Sequence, residues 1–227
     1  MGQPRWKKEE IHEALVVLYL RLNGYFTTSL VVHAPEWGRN RTEIDCLAVR
    51  HPNHAQPDRM VEPSQFLEPL DSCVDLLICE VKSNPARVAF NQRLLDQGAL
   101  EHVLQWAGVF PSEEVPRVAC GLLRILKQEG LDARRARDGV VAAGVRVRGL
   151  LCCPPATEAD IPGGWCLLGP EIFGYATRCF NPPAPRASCS TRYNLNLWGR
   201  WLAPLVRYFK RTKSPSLDEL YKRLGAA

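Results

Sequence analysis

The chain has 227 residues, enough for one well-filled core or one core with a small appendage. Hydrophobic residues make up 46% and charged residues 23%, close to the average of a folded globular domain, which excludes global disorder. The formal net charge of +5 is a mild basic bias that suits a polyanionic partner without requiring one.

No segment reaches the roughly 20 apolar residues that a bilayer span needs. The run from Ala14 to Leu20 is too short, follows a charged opening and is not followed by a small-residue cleavage site. The expectation is a cytoplasmic protein with no membrane contact. Nine cysteines, an odd number with an adjacent pair Cys152-Cys153 and no C-x-x-C, argue against a disulfide framework or a zinc site. Cys46, Cys79 and Cys120 sit within apolar runs and read as small buried hydrophobes. Asn40-Arg41-Thr42 matches a glycosylation acceptor, which without a signal peptide reads as chance.

In chain order, Ile11, Leu15, Leu18 and Leu22 have helical spacing and predict a helix over 9–22, closed by Gly24. Residues 25–34 are rich in aromatic and β-branched types and predict a strand. Residues 36–41 read as a turn into a second strand over 42–50. Residues 51–71 are proline-rich and read as a long loop. Residues 74–81 are almost continuously apolar, the signature of a buried central strand. A helix is expected over 91–106, another over 117–127, and an exposed Arg-rich stretch over 132–139. A strand over 145–152 stops at Pro154-Pro155, and a short edge strand (165–168) and a short helix (171–179) follow. After the break Asn181-Pro182-Pro183-Ala184-Pro185, helices are expected over 197–209 and 217–224, the second opened by the capping pair Ser216 and Glu219. There is no internal repeat. The order predicts a mixed α/β layer fold and fits neither a Rossmann fold nor a barrel.

Two strand ends carry the chemistry. The second strand holds Glu43-Ile44-Asp45; the third ends Leu77-Ile78-Cys79-Glu80-Val81-Lys82-Ser83. Side chains alternate along a strand, so Glu80 and Lys82 share a face, as do Glu43 and Asp45. Two charges in so apolar a strand are costly unless paired or metal-bound. If the strands are neighbours, Asp45 and Glu80 converge with Lys82 beside them. Two carboxylates and a backbone carbonyl form a hard oxygen site suited to Mg²⁺ or Mn²⁺. A plain ion pair for Glu80 and Lys82, and a strand-end turn for Asp45, are the competing readings.

These residues resemble the PD-(D/E)xK phosphodiesterases, the restriction-endonuclease-like fold, over roughly residues 9–152. The resemblance implies an αβββαβ core with a mixed central sheet flanked by helices. It also implies metal-dependent nuclease activity, expected on DNA and expected to be endonucleolytic. Asp45 stands on the second core strand, and Glu80 and Lys82 form the E-x-K of the third. Ile44 replaces the proline of the motif, and the stretch between the acidic strands is long. Resolvase-like members add a glutamate from the first helix, upstream of a Gly-aromatic pair. Glu13, eleven residues before Gly24-Tyr25, takes that place. The implied metal ligands are Asp45, Glu80, the Val81 carbonyl and Glu13, and the implied catalytic set is Glu13, Asp45, Glu80 and Lys82. Gln97, on the following helix, and Glu43 are accessory candidates. Many such nucleases dimerise to cut two strands, so a homodimer is a candidate assembly. A non-catalytic nucleic-acid-binding or assembly module on the same fold is the alternative. An unrelated α/β protein with an ion pair is the third reading.

The remaining features are weaker. His51 and His54 form a His-x-x-His in a proline-flanked loop and read as chance. Lys7-Lys8 and Arg134-Arg135-Ala136-Arg137 are either solvated charges or phosphate contacts. From Arg186 onward there are nine Lys or Arg against two acids, interleaved with Tyr193, Trp198, Trp201, Tyr208 and Phe209. Arg200, Arg207, Lys210 and Arg211 are therefore candidates for nucleic-acid contact, against the reading of a helical arm packed on the core. The expected division is a nuclease-like domain over 1–181 and a basic, aromatic helical extension over 182–227.

Overall fold

A computed structural model describes residues 6–33, 40–56, 61–70, 72–127, 133–182 and 198–226. It is an α/β structure with a mixed six-stranded open sheet and, among the described residues, seven helices. The elements are α1 (Lys8–Leu22), β1 (Phe26–His33), β2 (Asn40–Arg50), β3 (Val74–Val81), α2 (Gln97–Ala107), α3 (Val115–Leu126) and α4 (Ala133–Asp138). There follow β4 (Val140–Ala142), β5 (Val145–Cys153), β6 (Cys166–Leu168), α5 (Gly169–Phe180), α6 (Gly199–Arg211) and α7 (Leu217–Leu224). The expected turn over 36–39 and the proline run from Pro183 lie outside the described residues, as do Arg186, Arg192 and Tyr193.

The strand order is β1-β2-β3-β5-β4, with β6 also paired to β5. β1, β2 and β3 form an antiparallel meander, and β3 and β5 run parallel. A parallel pair needs a crossover, which α2 and α3 supply. The two central strands are the most apolar, because both their faces are covered. Leu77, Cys79, Leu150 and Cys152 pack towards α1, α5, α6 and α7. Leu76, Ile78, Val147 and Leu151 pack towards α2 and α3. Leu202, Leu205, Val206 and Phe209 of α6 and Leu220 of α7 lie in the same apolar cluster as α1. No described helix is long and apolar enough to cross a membrane.

Most expected elements are present, with four differences. The helix expected from residue 91 begins at Gln97, because the Asp96 carboxylate accepts the Ala99 N–H at 2.9 Å and caps it there; residues 91–96 form turns. The Arg-rich stretch is not simply exposed: α4 buries Ala136 and lays the Arg137 guanidinium 5.5 Å from the Trp165 ring. β4 was not expected, being too short for a period to register. β2 begins at Asn40, inside the stretch read as a turn.

The end of the sheet away from Glu80 is held by charge. Asp75 on β3 is fully buried, and its carboxylate accepts from Arg146 Nε at 3.0 Å, Arg148 Nε at 3.1 Å and the Tyr25 hydroxyl at 2.6 Å. Arg148 is itself fully buried, and it stacks 5.1 Å from the Trp165 ring. Such a cluster is tolerated because each donor is satisfied, and removing one member strands the rest. Asp75→Ala is expected to cost about 3–5 kcal/mol. Urea unfolding of the variant checks this, and a loss below about 1 kcal/mol would refute it.

Candidate active site

The β2–β3 ladder ends at the pair Cys46 and Cys79. Beyond it, the Val81 N–H is taken not by β2 backbone but by the Asp45 side chain, whose Oδ2 accepts it at 2.7 Å. The cause lies on the other edge of β2. Between Thr28↔Leu47 and Leu30↔Ile44, β1 advances two residues while β2 advances three. The extra residue is a β-bulge at 45–46, a device that bends a strand and re-aims its side chains. It breaks the alternation of β2 just after Asp45. Ile44 joins the same apolar cluster as Leu47, while Cys46 and Ala48 face the other side. Glu43 is exposed and Asp45 half-buried, and the negative charges of both act on Glu13 from α1.

Glu80 follows the face of Leu76 and Ile78 and is only 5% exposed. Its Oε1 accepts from the Lys82 ammonium at 2.6 Å. Its Oε2 is buried and makes no hydrogen bond of regular geometry, although the Asn91 backbone N–H lies near enough to the carboxylate to favour its charged form. A buried carboxylate oxygen without a regular hydrogen bond is costly and unusual in a folded protein. Burial pushes the Glu80 carboxyl above its usual range, and the Lys82 hydrogen bond and charge offset only part of that. Asp45 is also raised, first by burial, against the pull of the Val81 amide and of Lys82. Glu13, half-buried on α1, is raised by burial and then by the negative charges of Asp45 and Glu43. Asp45 is thus the carboxylate that both Glu13 and Glu80 sense.

Asp45, Glu80 and Lys82 therefore meet at the end of β3, while Glu13 approaches Asp45 and Glu43 from α1. Among the described residues, however, no three His, Cys, Asp or Glu side chains form a ready-made metal cage. Asp45 holds the Val81 amide and Glu80 holds Lys82. What is left is one oxygen of each carboxylate. The Val81 carbonyl points to the β2 side with its N–H, as both do on an extended residue. That donor set fits a hard cation that takes one or two carboxylates and keeps waters or substrate oxygens for its other positions.

The peripheral expectations divide. Gln97 is exposed and donates to Glu101 at 2.9 Å, one turn along α2, rather than to any of the four residues. Lys7 and Lys8 are exposed at the start of α1, with the Lys8 ammonium 5.4 Å from the Tyr221 ring. Arg200, Arg207 and Arg211 are exposed along one face of α6 at spacings of seven and four, and Lys210 is half-buried with its pKa lowered by that burial. His54 lies against Gly24, where φ is +83° and a Cβ would come within 2.3 Å of the imidazole.

One group was missed from the sequence. His12, next to Glu13, is 1% exposed, and burial drives its pKa down to about 4. Its Nδ1 shares a hydrogen bond of 2.7 Å with the Ser83 hydroxyl, next to Lys82, and its Nε2 shares one with the Tyr221 hydroxyl of α7. Burial raises the Tyr221 phenol to about 12. The only signal in the sequence was a histidine on the buried side of a helix, too common to single out.

The carboxyl shifts have a sign that can be tested. A carboxyl raised in the folded state favours folding at low pH and opposes it once pH passes the folded pKa. Asp45→Asn removes that charge and keeps an oxygen for the Val81 amide. Without added metal, the variant should melt higher than wild type at pH 7.5, and the gap should close as pH falls through the carboxyl range. A gap that widens on acidification would contradict this.

No protein-family model, curated protein or solved structure matches the chain. The geometry at the end of β3 therefore carries the functional reading.

Proposed function

We propose that the chain is a metal-dependent phosphodiesterase of the PD-(D/E)xK type, with a restriction-endonuclease-like core, that cuts DNA endonucleolytically. The observation that carries this reading is Glu80: a buried carboxylate with one oxygen on Lys82 and the other without a hydrogen bond of regular geometry, beside the half-buried Asp45. A structural ion pair would satisfy both oxygens or sit in solvent. The open oxygen is accounted for by a ligand.

Asp45, Glu80 and the Val81 carbonyl would hold the cation, with Glu13 completing the site from α1. When bound, Mg²⁺ or Mn²⁺ supplies Lewis acidity to a phosphoryl oxygen and acidifies a water. Lys82, released in part from Glu80, donates to the attacking oxygen or to the phosphoryl group and offsets the charge that builds at phosphorus. The site lies where β3 and β5 end together, the end of a parallel pair where α/β proteins bind ligands. Arg200, Arg207 and Arg211, with Trp201 exposed beside them, supply a surface for phosphates and for base stacking. A homodimer would bring two such sites to the two strands of a duplex.

A panel of supercoiled, linear, single-stranded and branched DNA, incubated with Mg²⁺ or Mn²⁺ and then with chelator, tests the activity. Cleavage is expected with metal, absent with chelator, and lowered roughly 100-fold or more in Lys82→Ala. Undiminished cleavage by that variant would sink the mechanism. Metal-independent binding with no cleavage of any substrate would establish the non-catalytic module instead.

Replacing Arg200, Arg207 and Arg211 together with Ala should weaken DNA binding without sequence preference. It should also reduce the slope of log affinity against log salt by about 2 to 3. An unchanged slope would remove α6 from the binding surface.

A further inference from the structure

We propose that Tyr221, His12 and Ser83 form a relay that positions the strand end carrying Lys82, which makes α7 part of the active site. The catalytic consequence rests on the nuclease reading above; the relay itself rests on the geometry that follows.

The β3–β5 ladder cannot hold Lys82 on both sides. Its N–H donates to the Cys152 carbonyl at 2.7 Å. In a parallel pair, the next bond would run to the Lys82 carbonyl from the residue two further along β5. That residue is Pro154, which has no N–H. The β2 side gives no help, since that ladder already ended at Cys46 and Cys79. Lys82, the first residue past β3, is therefore the last to make a ladder bond to β5, and it has only one. The next fixed point is Ser83, whose hydroxyl is held by His12 at 2.7 Å from the α1 side of the sheet. Lys82 and Glu80 lie on the opposite side. The lysine is thus set between a backbone bond and a side-chain anchor.

The anchor is in turn held by α7. His12 is buried, and its second nitrogen meets the Tyr221 hydroxyl. A neutral imidazole has one N–H and one lone pair, so it accepts from one hydroxyl and donates to the other. The phenol is the more acidic of the two and is the donor. Tyr221 then donates to Nε2, the Nδ1–H donates to Ser83, and the tautomer is fixed. The Tyr221 ring is held by the Lys8 ammonium and by a tilted contact with the imidazole, ring centres 5.8 Å apart. His12 precedes Glu13, so one histidine ties together the helix bearing Glu13 and the strand bearing Lys82.

The test uses full-length protein. Tyr221→Phe keeps the ring and its packing and removes only the hydroxyl; Ser83→Ala removes the other end of the relay. Each should lower kcat on a cleaved DNA by roughly 10–100-fold, the usual effect of losing a partner that orients a site residue. KM and the melting temperature should stay near wild type. Ser83→Thr should restore the rate, and the double variant should be no slower than the slower single one, because both break one chain. Wild-type kcat in Tyr221→Phe, or an effect on KM alone, overturns the relay and leaves the nuclease reading standing. If wild-type protein cuts no DNA, the nuclease reading falls, and ¹⁵N spectra of the His12 ring decide the relay alone. A single Nδ1–H tautomer in wild type that becomes mixed in Tyr221→Phe supports it; a mixture in wild type overturns it.

Discussion

The Asp45 carboxylate takes the Val81 amide that β2 backbone would otherwise hold, and the shape of the candidate site follows from that exchange. A ladder continued past Cys46 and Cys79 would have brought the two strands together and closed the space between them. The bulge in β2 prevents this by spending one extra residue against β1. The sheet therefore parts at one corner while remaining paired elsewhere. The acids gather at that corner because it is the place where a side chain can lie between two strands.

This arrangement carries a cost. Three carboxyl groups are raised by burial and by one another, and one buried oxygen makes no hydrogen bond of regular geometry. Folding energy has to come from elsewhere in the molecule. It comes from the continuous apolar layers on both faces of β3 and β5 and from α6 and α7, which extend the layer under α1. Strain at a site and surplus in the body are the usual division between function and stability.

Element types were legible in the sequence wherever a period repeated. β3 was read to the residue, α7 likewise, and β2 and β5 to within two residues, because apolar runs and capping residues mark them. The start of α2 was misread because Leu94 and Leu95 continue a helical spacing through a turn that Asp96 ends. The acids and lysine of the site were legible as charges within apolar strands. That same signal was present at Asp75, Arg146 and Arg148 and was not used; there it marks a closed ion cluster. A charge in a buried strand therefore shows that a partner exists, and only the structure tells whether the partner is within the chain. The bulge was illegible, since a one-residue difference in pairing leaves no mark on either strand alone. The link from His12 to Tyr221 spans 209 positions and follows from how helices pack.

The Asp75 cluster has a second consequence, for alignment. Strands β3 and β5 meet through Leu76, Leu77, Ile78 and Cys79 against Val147, Gly149, Leu150 and Leu151, residues of similar character. Sliding one strand by two positions would keep every side chain on its proper face, but it would bring a larger residue to the place of Gly149, where even a Cβ would come within 2.3 Å of Leu126 and 2.9 Å of Phe90. The charges add to this in one direction: a slide that sets Arg146 opposite Leu77 would carry Arg148 away from Asp75 and leave it unpaired in a dry interior. The cluster and the close packing at Gly149 together work as a vernier mark, and what they index is the setting of Glu80 and Lys82 at the strand end.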